Sequence, residues 1–211
     1  MVIHLWYVLV PVSIEHLSPI NPYKSKDLLG MTIIACITAT GGGTTVDLLT
    51  GAKRVFWMDK AMYLQIAVTT AIATFFFWPT LEKEFGFSDS AIPICTADAI
   101  GLGAFAVLGT QKAVSRNLPP FNWIVCGLMT STFGGVVRDV LCLQRPRVMY
   151  PERTMYAAGP LAGSIVYTLL EEFSKLDKQV ITIIAFLTTV FVRINSFGKP
   201  TRMPHWKNKD W

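Results

Sequence analysis

Charged residues are scarce in this sequence, and they are missing from whole stretches rather than thinned evenly. Only 16% of the 211 residues are Asp, Glu, Lys or Arg, whereas a soluble domain carries about 25%. The uncharged stretches are long enough for an α-helix of about 20 residues, which crosses a hydrocarbon layer about 30 Å thick. With 52% hydrophobic residues and a mean hydropathy of +0.43, the composition excludes an ordinary soluble protein and indicates an integral membrane protein.

Cysteine and histidine are also few, and their spacing excludes a metal site. The four cysteines form no CxxC pair and lie in apolar segments, which is typical of buried packing residues. No nucleophile–base pair, metal-ligand set or phosphate-binding loop is apparent. We therefore expect no metal, no other cofactor and no enzymatic activity. The net charge of +5 comes from loops and a basic tail, so we expect no nucleic-acid partner.

Apolar periodicity predicts an all-α polytopic membrane protein. Six apolar spans are expected at 27–49, 61–81, 91–113, 121–143, 154–170 and 180–192. The N-terminal stretch 2–14 is apolar too, but it is short and contains Pro11, so we expect it not to cross as a normal helix. We divide the chain into a divergent N-terminal segment (1–26), a first repeat (27–81), a second repeat (91–172), a final transmembrane helix (177–194) and a basic C-terminal tail (195–211).

The division rests on an internal repeat. Residues 38–49, TATGGGTTVDLL, align without a gap with residues 130–141, TSTFGGVVRDVL, at an offset of 92. Three spans separate the two copies, so the copies cross the membrane in opposite directions. Inverted repeats of this kind are a common way to build transporter and channel cores.

Glycine runs mark the centre of each copy, at residues 41–43 and at Gly134 and Gly135. Each glycine costs a helix about 1 kcal/mol relative to alanine, so we expect both helices to break here. A break would present carbonyl oxygens to a cation, and amide groups with the Thr44 hydroxyl to an anion. The alternative is that the small residues let two helices pack closely.

Acidic residues inside the spans are the second signal. Asp47, Asp98 and Asp139 lie there, with Arg138 as the clear basic residue. An intramembrane charge costs at least about 2.5–3.5 kcal/mol and faces a partner or a water path. We expect a pore or substrate site, a structural ion pair such as Arg138 with Asp47, or both. On a helix Arg138 and Asp139 point about 100° apart, so we do not expect them simply to neutralise each other.

These features define the candidate pore or substrate-binding residues. The set comprises Gly41, Gly42, Gly43, Thr44, Asp47, Gly134, Gly135, Arg138, Asp139 and Asp98. Counting Lys and Arg on the two sides of the predicted topology gives an excess on the C-terminal side, which places the C-terminus in the cytoplasm. The sequence leaves the kind of membrane open.

A doubled pattern of a glycine pair or triplet, two variable residues, Arg and then Asp resembles the trimeric intracellular cation channel family. The resemblance is closest to its bacterial-type branch, also described as the glycine transporter domain, and it covers about residues 27–172. The third span, CTADAIGLGAFAVLGTQKAVSRN, is similar to the helix that opens each family repeat. The resemblance implies seven transmembrane helices as two inverted three-helix repeats plus a final helix. It also implies a homotrimer with one pore per subunit, flanked by the two glycine-broken helices.

The sequence departs from the family pattern at three places. The first family helix is truncated or divergent, Val46 stands where the first-repeat arginine would be, and Phe133 stands opposite Gly41. Positions 46, 47, 138 and 139 then hold two carboxylates and one guanidinium, so we predict cation selectivity that arises from an unbalanced Asp47.

The resemblance makes passive conduction of monovalent cations such as potassium the expected function. A carrier of glycine or a similar zwitterion and a non-conducting structural homologue or assembly subunit are the alternatives. Membrane lipid and the permeant species, a small cation or glycine, are the expected partners besides further copies of the chain.

Overall fold

The computed structural model describes residues 27–85, 92–149 and 156–196, and within these ranges the regular structure is helical. The elements are α1 (Leu28–Leu49), α2 (Phe56–Asp59), α3 (Met62–Phe85), α4 (Ile92–Ser115), α5 (Pro120–Leu141), a 3₁₀ turn (Arg147–Met149), α6 (Ala158–Phe173) and α7 (Lys178–Ser196). The predicted all-α fold is confirmed. The expectations for the N-terminal stretch and for the basic tail from residue 197 lie outside the described residues.

Three of the described helices are long and apolar enough to cross a membrane. They are α1, α5 and α7, with mean hydropathies of 1.4, 1.4 and 1.5. Large apolar side chains cover the outside of the bundle; Phe77 on α3 and Phe191 on α7, for example, are 65% and 69% exposed. Such a surface suits a lipid environment, because lipid solvates apolar side chains as well as a protein interior does.

The helices pack around α5, which contacts α1, α4 and α6. On either side of it, α1 also packs against α3, and α4 and α6 also pack against α7. The buried contact between α1 and α3 consists of alanines, Ala35 and Ala39 against Ala67 and Ala71. Small side chains let the helix backbones approach closely, which is the usual basis of helix association in membranes.

The glycine runs do not interrupt their helices, so the predicted breaks are wrong. Helix α1 continues through residues 41–43, and α5 continues through Gly134 and Gly135. The Thr44 and Thr45 hydroxyls donate back to the carbonyl oxygens of Thr40 and Gly41, both at 2.8 Å. Contacts with other helices therefore offset the unfavourable free energy of glycine in a helix at these positions.

Candidate functional site

The glycines lie where α1 and α5 cross, with their backbones in direct contact. A Cβ on Gly42 would strike the Thr130 carbonyl oxygen, and a Cβ on Gly134 would strike the Thr38 carbonyl oxygen. Gly41 lies on the same face, because a Cβ there would be 3.3 Å from the Gly134 Cα. The two contacts are related by the repeat offset of 92, since Gly42 corresponds to Gly134 and Thr38 corresponds to Thr130. The two helices therefore cross antiparallel about a local two-fold axis, as the inverted repeat predicted.

A first charged cluster lies at the end of α1 and consists of Asp47, Lys112 and Arg116. The Asp47 carboxylate is 1% exposed, and its Oδ1 lies 2.5 Å from both Lys112 Nζ and Arg116 Nη2. Its Oδ2 accepts the backbone N–H of Phe56 at 3.0 Å. The Arg116 guanidinium also donates to the Thr50 hydroxyl. One carboxylate here holds two cations, Lys112 from the last turn of helix α4 and Arg116 from the residue that follows it.

A second charged cluster lies at the end of α5 and consists of Arg138, Asp139 and the backbone of Arg147. Arg138 Nε and Nη2 lie 2.7 and 2.6 Å from Asp139 Oδ1, and both side chains are about 95% buried. The backbone N–H of Arg147 donates to Asp139 Oδ2 at 3.1 Å. Because α1 and α5 run antiparallel, the two clusters lie at opposite ends of the crossing.

The two helix ends share their backbone geometry as well as their aspartates. The N–H groups of Thr50 and Cys142 bond four residues back, at 3.0 and 2.9 Å, and Gly51 and Leu143 both follow in the left-handed region, with φ of 68° and 54°. One residue further along, the backbone N–H groups at positions 52 and 144 donate to the carbonyl oxygens of Asp47 and Asp139, at 2.9 and 2.8 Å. Each of these pairs is 92 residues apart, so the repeat extends from sequence to structure.

Two expectations about charge are corrected. Arg138 does bond the adjacent Asp139, because its long side chain bends around the helix, and it does not pair with Asp47. The predicted charge imbalance at Asp47 is also wrong, since Lys112 and Arg116 place two cations on this carboxylate although Val46 stands at the position of the family's arginine. The first cluster carries a formal charge of +1 rather than an excess negative charge.

Asp98 lies away from the crossing, in an ion pair between α4 and α7. Its Oδ2 lies 3.0 Å from Arg193 Nε, and the side chains are 0% and 2% exposed. The Arg193 guanidinium also lies over the Tyr156 ring, 5.0 Å from its centroid. Asp98 therefore binds the final helix to the second repeat, on the side of the bundle that also holds Arg138.

The remaining candidates, Gly43, Thr44 and Gly135, have unequal surroundings. A Cβ on Gly43 would lie 2.5 Å from Phe56 Cε1, whereas a Cβ on Gly135 would meet only Arg138 Nη2 at 3.8 Å and the Tyr156 hydroxyl at 4.0 Å among the described residues. The Thr44 hydroxyl accepts the indole N–H of Trp57 at 3.0 Å. The structure thus brings all the candidates except Asp98 to the crossing or to its two ends.

Sequence reasoning missed five residues at these sites: Lys112, Arg116, Arg193, Phe56 and Trp57. The first three lie at or just beyond the ends of the predicted helices, so they were counted with the solvated basic residues and not as intramembrane charges. Lys112 and Arg116 are four residues apart and so share one face of a helix, which was the available signal. Phe56 and Trp57 lie in a connection too short to show a helical period.

Two inverted glycine helices, crossed at their midpoints and ended by buried charges, define a polytopic membrane protein of the inverted-repeat class. The family model described as Glycine transporter matches residues 23–79 and 95–172. Since those segments cover more than half of the sequence, the chain belongs to the glycine transporter family, and the predicted resemblance is confirmed.

Curated relatives and solved structures agree with this assignment. The chain is 33% identical to a UPF0126 membrane protein of Vibrio cholerae over 142 residues, which is 67% of this chain and 56% of the relative. It is 31% identical to a UPF0126 membrane protein of Deinococcus radiodurans over 160 residues, 74% of this chain and 70% of the relative. The chain thus spans little more than half the length of the Vibrio relative.

Among solved structures, the TRIC trimeric intracellular cation channel orthologue from Rhodobacter sphaeroides is 26% identical. It has a TM-score of 0.75, with 92% of both chains covered. A structure that describes conductance through TRIC cation channels is 28% identical, with a TM-score of 0.83, and covers 100% of this chain and 97% of that one. The fold of the chain is therefore that of the TRIC channels.

Proposed function

We propose that this chain is a membrane channel that conducts monovalent cations, potassium among them, through a passage within each subunit. The observation that carries the proposal is the reciprocal crossing of α1 and α5 with a buried charged cluster at each end. Burying charge inside a membrane span is costly and characteristic of ion and substrate pathways. The likeness to structures of TRIC cation channels supports a cation as the permeant species.

The passage would run beside the crossing rather than through it, because Gly42 and Gly134 press directly on the opposite backbone. A cation entering from one end would meet the oxygens of Asp47, and one leaving at the other end would meet those of Asp139. Both carboxylates are held by internal cations here. On this proposal the arrangement is closed to ions, and conduction requires Lys112, Arg116 and Arg138 to move away from the two carboxylates.

A carrier of glycine or a similar zwitterion is the second candidate, because each cluster contains both a carboxylate and a cationic side chain. The ammonium group of a zwitterion would suit Asp47 or Asp139, and its carboxylate would suit Lys112 or Arg138. A non-conducting structural homologue is the third candidate.

Assembly and orientation belong to the same proposal. A relative of the same fold is described as trimeric, and we propose a homotrimer in the membrane with the C-terminus in the cytoplasm. The excess of Lys and Arg on the C-terminal side supports that orientation.

Reconstitution in liposomes separates the three candidates. Potassium efflux and uptake of radiolabelled glycine would be measured on the same preparation, with empty liposomes as the control. Potassium flux without glycine uptake supports the channel, and saturable glycine uptake without potassium flux supports the carrier. Neither flux, from protein that is correctly inserted, supports the non-conducting homologue.

A further inference from the structure

The connection between α1 and α3 folds back over the end of α1 instead of projecting away from it. Its short helix α2 makes three separate contacts there. The Phe56 ring covers Gly43, the Phe56 backbone N–H binds Asp47, and the Trp57 indole N–H binds Thr44. These contacts fall on three of the residues that the sequence marks as pore or substrate-binding positions.

The Phe56 ring is held from two further sides. Lys112 Nζ lies 5.1 Å from its centroid, and the Tyr63 ring meets it edge-on with centroids 5.1 Å apart. A cation over an aromatic face and an edge-to-face aromatic pair are both favourable contacts. Phe56 therefore joins α1, α3 and α4 at the first charged cluster.

The opposite end of the crossing has no such cover among the described residues. Gly135 is the counterpart of Gly43 at the offset of 92, and a Cβ there would meet only the Arg138 guanidinium and the Tyr156 hydroxyl, at 3.8 and 4.0 Å. Both neighbours are polar groups in ordinary contact. The two ends thus have the same backbone geometry, but one is covered by an apolar ring and the other is not.

We infer that α2 is a lid over the Asp47 end of α1, and that Phe56 is the residue that blocks access to Gly43, Thr44 and Asp47 from that side. An apolar ring seated on the bare backbone of a glycine excludes water and ions from the polar groups beneath it. The two hydrogen bonds to Asp47 and Thr44 hold the lid by side chains that an entering ion would also contact. An ion that competes for these oxygens would therefore favour the open lid.

Thiol accessibility tests the lid without requiring conduction. Thr44→Cys would be introduced with Phe56 intact and with Phe56→Ala, and each protein in liposomes exposed to a membrane-impermeant cationic methanethiosulfonate. Labelling would be quantified at each cysteine by mass spectrometry. We expect the labelling rate of the introduced cysteine to rise by about tenfold with Phe56→Ala, since removing the half-buried ring takes away much of the apolar contact that favours the closed lid.

The controls separate lid opening from general loosening. Met58→Ala is the matched variant, because Met58 lies on the same short helix with a 64% exposed side chain, and it should leave labelling unchanged. Cys126, buried on α5, should stay unlabelled in every background. Phe56→Leu, which keeps an apolar side chain, should give an intermediate rate. Equal rates with Phe56 and with Phe56→Ala would overturn the lid.

Gating by the lid rests on the proposed cation channel and is tested on the same proteins without the introduced cysteine. Potassium flux should be several-fold higher in Phe56→Ala than in the wild type or Met58→Ala. Faster labelling together with absence of potassium flux in all variants would leave the lid standing and refute the proposed conduction. Faster labelling with equal, measurable flux would refute Phe56 as a gate.

Discussion

Gly134 and Gly135 are adjacent on α5, yet the structure predicts opposite effects when each is replaced by alanine. A Cβ at position 134 would strike the Thr38 carbonyl oxygen, which is backbone and cannot move aside like a side chain. Overpacking of this kind costs about 1–3 kcal/mol. At position 135 the nearest atoms of the described residues are 3.8 and 4.0 Å away, which is ordinary contact. Removing a helical glycine there should stabilise the protein by about 0.5–1 kcal/mol.

Thermal unfolding in one detergent measures the difference. For a chain of this length 1 kcal/mol corresponds to about 2–4 °C, so Gly134→Ala should lower the Tm by about 2–12 °C, while Gly135→Ala should leave it unchanged or raise it by a few degrees. Gly42→Ala should behave like Gly134→Ala, because it meets the Thr130 carbonyl oxygen by the same two-fold contact. Equal melting temperatures for Gly134→Ala and Gly135→Ala would refute the crossing as described.

Three further predictions follow from the charged groups and the helix ends. Asp98→Asn should destabilise the protein by about 3–5 kcal/mol, because it removes the carboxylate that neutralises Arg193, and replacing both residues with leucine should restore much of the loss in Tm. Asp47→Asn should lower both the Tm and the potassium flux, since the first cluster then holds two cations with no carboxylate; Asp59→Asn, on an exposed side chain, is the matched control and should change neither. Leu143→Asn should raise the Tm by up to about 2–4 °C. Position 143 has a φ of 54° and its side chain is 81% exposed, so asparagine relieves backbone strain without a loss of packing. An unchanged or lower Tm would count against that strain.

The fold could be predicted from the doubled motif, because the two halves of an inverted repeat keep the same residues at a fixed sequence offset. The matched contacts of Thr38 with Gly134 and of Thr130 with Gly42 are the structural form of that offset. The predicted helix breaks were wrong because the propensity of glycine is a local property. Close packing of a second helix determines whether the cost of glycine is met, and nothing local to residues 41–43 reveals that helix.

Partners of the buried charges were harder to predict than the charges themselves. Arg116 is 69 residues from Asp47 and Arg193 is 95 residues from Asp98. Each of these cations lies near a helix end, where a basic residue is also typical of a solvated loop. The lid was not predictable either, since Phe56–Asp59 is a four-residue helix whose role depends on the contact between the Phe56 ring and Gly43.

The reversal potential in a potassium chloride gradient tests the central claim most directly. The protein would be reconstituted in planar bilayers with a tenfold gradient and no other permeant salt. A cation-selective channel predicts a reversal potential approaching about 59 mV in magnitude, with the sign set by potassium. A potential of the opposite sign would show chloride selectivity, which the two cations around Asp47 could support, and would contradict the account.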